Sequence, residues 1–313
     1  MTTTPTPIIL DCDPGHDDAI ALLLALASPE EVELLGVTTV AGNQTLAKTT
    51  ANALRVLEHV GREEIPVVAG ADRPLVRAQH AAVEVHGETG LDGPDLPPAR
   101  GRPLELHAVD FIAERLQASD RPVTLVPVGP LTNIGLLLAR HPEAASSIDR
   151  IVLMGGAIAE GNVTPAAEFN IWADPEAAQR VFTSGLDVTM VGLDVTHRAL
   201  LMPDRVEELR GAGRAGRFVA ELFDFFHRFH EQIYGFEGSP IHDAVAVAEI
   251  IRPGTVETKR RHVEVDCASE LCRGRTVVDL WRRTGKEPNA NVGVGIDADA
   301  FVDLLVERVS SLG

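Results

Sequence analysis

A chain of 313 residues that is 45% hydrophobic can bury a sizeable core, as one large α/β domain or two ordinary ones. Its 28 Lys and Arg against 46 Asp and Glu leave a net charge of −18, which argues against a nucleic-acid backbone as partner and favours a small neutral or cationic ligand, or a metal. Cys12, Cys267 and Cys272 are too few and too irregular for a disulfide framework or a zinc site, and the apolar run at 19–27 falls well short of the ~18 residues that span a bilayer. With no basic region in the opening MTTTPTP to suggest a secretory signal, a soluble cytoplasmic protein without a membrane partner is expected.

In chain order, Ile8, Ile9 and Leu10 read as a short buried strand, Pro14 and Gly15 break it, and residues 19–27 continue with helical composition. Val32 to Val40 reads as a second strand, Gln44 to Val60 as an amphipathic helix and Ile65 to Ala69 as a third strand. The pattern then lapses from His86 to Pro103, where four glycines and four prolines predict an irregular loop of the kind that is usually functional or mobile. Regularity returns with helices at His107–Gln117, Thr132–Arg140 and Asp174–Phe182, alternating with strands at Val123–Pro127, Ile151–Met154 and Val188–Gly192. Helices follow at Pro203–Arg210 and Arg214–Tyr234, whose Phe218, Phe223, Phe225 and Phe226 are assigned to packing. A β-rich stretch from Thr258 then precedes a last helix at Asp299–Val309. The βα alternation predicts one large α/β domain over residues 1–313, with a mainly parallel, Rossmann-like central sheet flanked by helices and ligands at the carboxyl ends of its strands.

The chemistry concentrates where the first strand meets the first helix. Asp11, Asp13, Asp17 and Asp18 crowd one turn; strand alternation points the first two the same way, while Asp17 and Asp18 diverge on a first helical turn. Turn formation and helix capping account for one or two of them. Packing the others together raises their pKa values or demands a cation, and an all-oxygen site for Ca²⁺ or Mg²⁺ is the economical answer. His16, at the variable position of DPGHDD, is expected to neighbour such a site rather than ligate, and Cys12 to be a buried structural thiol.

The stretch DCDPGHDDAIALLLAL resembles the amino-terminal signature of the nucleoside hydrolases, calcium-dependent N-ribohydrolases that split nucleosides into ribose and free base. VTTVAGNQTLAKTT (37–50), LVPVGPLTNIG (125–135), IVLMGGA (151–157), AEFNIWADPEAA (167–178), VTMVGLDVTH (188–197) and PIHDAVAVA (240–248) follow in that family's order, so the resemblance covers nearly the whole chain. It implies the nucleoside hydrolase fold, a ribonucleoside as substrate and a homodimer or homotetramer. It also implies a Ca²⁺ held by Asp13, Asp18, Asp243 and the main-chain carbonyl of Val128. Helix capping is the alternative role for Asp243, which precedes an apolar helix. The metal would orient the sugar and lower the pKa of a bound water, with Asp13 as general base. The implied substrate-binding set is Asp17, Asn43, His86, Met154, Asn162, Glu168, Phe169 and Asn170, with Glu168 and Asn170 sharing a face of an extended segment and Phe169 opposite them. His242, with an ordinary pKa of about 6.5, is the implied acid for the leaving base.

Other readings remain open at this stage. A strand ending in DxD also begins aspartate-based phosphohydrolases that use Mg²⁺, although −18 is unwelcoming to a polyanion. A non-catalytic ribonucleoside-binding homologue would keep the cavity without the reaction, and a relative of altered specificity would take a modified nucleoside.

Overall fold

The computed structural model describes residues 4–312. The first half of the chain runs β1 (Thr6–Cys12), α1 (His16–Leu26), β2 (Val32–Thr39), α2 (Leu46–His59), β3 (Val67–Ala69), α3 (Val83–His86), α4 (Ala108–Ala118), β4 (Val123–Pro127), α5 (Thr132–Arg140) and β5 (Ile148–Met154). The second half runs α6 (Phe169–Ala173), α7 (Pro175–Phe182), β6 (Val188–Val191), α8 (Leu193–Thr196), β7 (Leu200–Leu201), α9 (Pro203–Arg210), α10 (Gly213–Tyr234) and β8 (Ser239–Pro240). It ends with α11 (His242–Ile251), β9 (Val256–Arg261), β10 (Val263–Val265), β11 (Thr276–Val278), β12 (Ala290–Ile296) and α12 (Ala298–Ser311).

Eight strands form one sheet in the order β3-β2-β1-β4-β5-β6-β12-β9, every neighbouring pair parallel except β12 with β9. β1 pairs with β2 on one side and β4 on the other, and both its faces are packed, Ile8 and Leu10 in the core on one and Ile9 in the core on the other, so its run of apolar residues is the continuous signature such a strand requires. The chain winds outward from β1 to β3, then returns to β4 and builds the other half. The crevice above β1 and β4 is therefore the switch point where open α/β sheets bind ligands. β9 closes the far edge with Glu257 to Arg260 exposed, charges that discourage a further strand.

Core residues divide between the two faces of the sheet. α1, α2, α10, α11 and α12 cover one face, and α4, α5 and α7 the other. Every residue of α1 is buried, because the helix packs against β2, α10, α11 and α12; Leu22, Leu23 and Leu24 each contribute about 1.5–3 kcal/mol by burial there. α10 is amphipathic, burying Phe218, Leu222, Phe223 and Phe226 along one stripe before Gly235 ends it in the left-handed conformation at φ +68°.

The predicted α/β architecture is the observed one, and the bounds of α5 and α9 coincide with those expected from the sequence. Differences sit at the ends of elements and in the short elements α3, α6, α8, β7 and β8, which the sequence pattern does not predict. Asp174 caps α7 by accepting from the Ala177 amide, with Pro175 in the first helical position, instead of beginning the helix itself. His86 closes the short helix α3, and residues 87–103 carry no regular element. Among the described residues no helix is long and apolar enough to cross a membrane.

Candidate active site

The turn after β1 is organised by its own carboxylates. Gly15 is the N-cap of α1 and has no side chain to offer, so Asp18 in the first turn reaches back and accepts from the Gly15 and Asp13 amides, both at 2.9 Å. Asp13 Oδ2 accepts from the Asn43 amide at 2.6 Å, and Asn43 Nδ2 donates to Asp18 Oδ2 at 3.1 Å, tying the loops after β1 and β2 together. Asp13 Oδ1 is buried without a partner. Asp11 does not share a direction with Asp13 as strand alternation predicts: its Oδ1 takes the Thr38 hydroxyl and the Asn133 amide at 2.5 and 2.7 Å. Asp13 lies past the end of β1, where the alternation stops.

Asp243 arrives from α11, more than two hundred residues away. It is not the helix cap, a position held by Ile241; it is 3% exposed, and one oxygen each of Asp17, Asp18 and Asp243 lie within 4.8 Å of one another. Burial and repulsion from neighbouring aspartates push Asp13 and Asp243 well above the ordinary carboxylate value and take Asp17 up to about 8, while burial alone raises Asp18 against the hydrogen bonds it accepts. A buried all-oxygen cluster with an orphaned carboxylate oxygen beside it fits a hard divalent cation. The sequence-stated set names Asp13 where the trio within 4.8 Å has Asp17.

One cavity opens above this cluster, and every sequence-predicted site residue lines it except Asp13 and Asp18, which lie in the turn bordering it. Its deep wall is made by Val128, Met154 and the start of α6. Asn170 Nδ2 donates to the Val128 and Met154 carbonyls at 2.7 and 3.1 Å, and Asn162 Oδ1 accepts from the Phe169 amide at 2.9 Å. Glu168 and Asn170 do not sit on an extended segment. Glu168 is the N-cap of α6, accepting from Asn170, Ile171 and Gly156 amides, and Phe169 joins the cavity lining instead of facing away. Burial raises Glu168 to about 7.

The outer wall is aromatic. His242 is 8% exposed, with Nδ1 2.7 Å from the Thr196 hydroxyl. Burial, then His197, His230 and His86, hold it well below its ordinary value, so it does not sit near 6.5 as expected. His197, His230, Tyr234, Phe226 and Phe229 complete the wall. Of these, Phe226 was assigned to packing and Phe229 and His230 were passed over. The missed signal is their spacing, since 226, 230 and 234 fall one turn apart on the same stripe of α10. Trp172 lies outside the cavity lining, under the Arg273 guanidinium at 4.8 Å.

A mainly parallel sheet whose switch point carries a buried aspartate cluster beside a polar and aromatic cavity is the frame of a metal-dependent hydrolase, and comparison with known proteins identifies which one. The chain belongs to the inosine-uridine preferring nucleoside hydrolase family, whose model matches residues 8–303, and it hydrolyses the N-glycosidic bond of ribonucleosides. It is 54% identical over 306 residues to the pyrimidine-specific ribonucleoside hydrolase RihA of Shewanella sp. (strain ANA-3), covering 97% of this chain and 96% of the relative. It is 50% identical to RihA of Klebsiella pneumoniae subsp. pneumoniae, covering 97% and 98%. Among solved structures, the purine-preferring ribonucleoside hydrolase from Gardnerella vaginalis superposes with a TM-score of 0.92 at 35% identity, over 98% of this chain and 99% of that one. The inosine-uridine preferring enzyme from Bacillus anthracis, at 20% identity and a TM-score of 0.80 over 98% and 99%, shares the fold. Membership sets aside the phosphohydrolase reading, and 54% identity to a named hydrolase over nearly the whole chain speaks against the non-catalytic one.

Proposed function

We propose that this enzyme is a calcium-dependent hydrolase of pyrimidine ribonucleosides that serves nucleoside salvage in the cytoplasm as a homodimer or homotetramer, with residues 1–313 forming one catalytic unit. The base preference rests on the relatives, since those named pyrimidine-specific are 50% and 54% identical while the purine-preferring neighbour is 35% identical. Asp13, Asp18, Asp243 and the Val128 carbonyl would hold the ion, with Asp17 beside them to reach the sugar. Bound there, Ca²⁺ supplies charge that orients the ribose diol and acidifies an adjacent water.

The observation that carries this reading is the unpartnered Oδ1 of Asp13 beside three clustered carboxylates. Asp13 Oδ2 is held by the Asn43 amide, so Oδ1 is the atom left to take the proton of the attacking water. As the C1′–N bond breaks, positive charge grows on the ribose; Asp17 and Glu168 stabilise it, and Asn43, Asn162 and Asn170 bind the hydroxyls. Met154 and Phe169 pack on the sugar, and His86 closes the cavity below the 87–103 loop. In the tautomer whose Nδ1 accepts from the Thr196 hydroxyl, His242 carries its hydrogen on Nε2 and donates a hydrogen bond from it to the leaving base.

The test is release of free base and ribose from inosine, adenosine, guanosine, uridine and cytidine, with calcium and after chelation. Uridine and cytidine are expected to lead, with no phosphate required and activity lost on chelation. Faster release from purine nucleosides overturns the preference, and activity that survives chelation overturns the calcium assignment. Asp13→Asn is expected to lose at least ~100-fold in turnover with an unchanged melting temperature; near-normal turnover would remove Asp13 from the role of base.

A further inference from the structure

His16 has no part in the scheme above, yet it is wholly buried and engaged on every side. Its ring stacks on Phe225 and Phe226, with centroids 5.3 and 5.2 Å away and planes within 10°. Nε2 lies 2.8 Å from the Asp92 main-chain carbonyl, and Nδ1 lies 3.2 Å from Nδ1 of His86.

These two contacts determine where the protons sit. A carbonyl only accepts, so the short Nε2 contact requires His16 to carry its hydrogen on Nε2. Neither ring nitrogen touches a carboxylate, so a doubly protonated ring would be a buried charge without a partner, and Nδ1 is left as a lone pair. The Nδ1 to Nδ1 contact then needs its hydrogen from His86. The main-chain amide of His16 also approaches His86 Nδ1, at 3.3 Å, and would favour the opposite tautomer. Satisfying that longer contact instead would leave two bare Nδ1 lone pairs facing each other at 3.2 Å, so the shorter Nδ1 to Nδ1 contact takes the hydrogen.

We infer that His16 is a positioning residue that fixes His86 as its Nδ1–H tautomer, so that His86 presents a bare Nε2 acceptor to the substrate cavity. His86 lines that cavity and its Nδ1 is already engaged, which leaves Nε2 as the atom available to a ligand. An acceptor there pairs with a hydroxyl donor of the sugar and not with a carbonyl of the base. The same ring anchors the irregular loop. Asp92 caps its first turn by accepting from the Glu88 and Thr89 amides at 3.1 and 3.0 Å, and the His16 bond to the Asp92 carbonyl ties that turn to α1. The sugar assignment rests on the functional reading above; the tautomer does not.

Long-range ¹H–¹⁵N spectra of the full-length protein labelled at histidine read each ring's tautomer directly, with His16→Asn and His86→Gln supplying the assignments. The expected result is Nδ1–H for His86 and Nε2–H for His16 without any substrate present. A His86 ring protonated on Nε2 overturns the inference, whatever the enzyme hydrolyses. In kinetics, His16→Phe keeps the aromatic stack and loses both nitrogens, and is expected to raise KM for the best ribonucleoside about tenfold with kcat changed less than about threefold. His16→Asn, whose Oδ1 can replace the Nδ1 acceptor, is expected to recover most of that KM. Wild-type KM in His16→Phe, or an Asn variant as impaired as the Phe variant, also overturns it.

Discussion

A methyl group added at Gly42 or at Gly129 would collide with the Asp13 carboxylate, one oxygen at each glycine, so the side chain is confined to one orientation by the absence of two others. Neither glycine requires a positive φ; each is there for close approach. Gly129→Ala is therefore expected to lower kcat by roughly a hundredfold, the scale of a misplaced catalytic group, with the circular dichroism spectrum unchanged. A wild-type kcat in that variant would show that the carboxylate tolerates displacement. His230 makes a pH prediction. Burial lowers it to about 4, while the unfolded chain titrates near 6.5, so between those values the unfolded state binds the additional proton. Stability from this group is complete above about pH 6.5 and is lost as pH falls towards 4, on the order of 3 kcal/mol in all. His16 is lowered to about 4 in the same direction. His230→Gln is expected to flatten the fall in melting temperature between pH 6.5 and 4; an unaltered slope would assign the acid sensitivity elsewhere.

At the scale of elements, the β10–β11 hairpin buttresses a site to which it contributes no lining residue. Thr276, 2% exposed on β11, donates to the Ala157 carbonyl at 2.6 Å and accepts from the Ala157 amide at 2.9 Å, while the adjoining Gly156 amide holds Glu168 Oε2 at 2.8 Å. Thr276→Val keeps the shape and leaves two buried backbone groups unpaired, so kcat/KM is expected to fall about tenfold, with Thr276→Ser close to wild type. Equal kinetics for Val and Ser would confine the hydroxyl to folding. Nothing in the sequence ties residue 276 to residue 157, because local period and propensity carry no information about partners 119 positions apart. What was legible is what local rules govern: the buried run of β1, the helices α5 and α9 with their ends, and the aspartate turn. The stripe on α10 was legible as amphipathic, but periodicity does not separate the part that meets the core, Phe218 and Phe223, from the part that meets the cavity, Phe226 and His230. Asp243 read alone as a cap for the same reason, and only the motif order of the whole chain placed it with the first cluster.

For the molecule as a whole, the decisive quantity is how much negative charge the fold confines at one point. Asp13, Asp17, Asp18 and Asp243 are all under 7% exposed and all shifted upward by burial, in a chain already at −18. A cation that binds this cluster only in the folded state stabilises the protein by mass action, by about 2.7 kcal/mol at a hundred times its dissociation constant. For a chain of this size that corresponds to a rise of roughly 5–10 °C in melting temperature, reversed by chelation. Any divalent ion would also screen the overall charge, so the rise alone does not locate the ion. Asp243→Asn separates the two effects: it changes the net charge by a single unit and removes one carboxylate of the buried cluster, so general screening would survive it and site binding would not. The expected outcome is a calcium-dependent rise in wild type that is nearly abolished in Asp243→Asn, and a smaller rise with Mg²⁺, which demands tighter octahedral geometry than a cluster of buried carboxylates offers. An equal rise in both proteins would mean that calcium acts on the surface and that the buried carboxylates are kept neutral by protons instead.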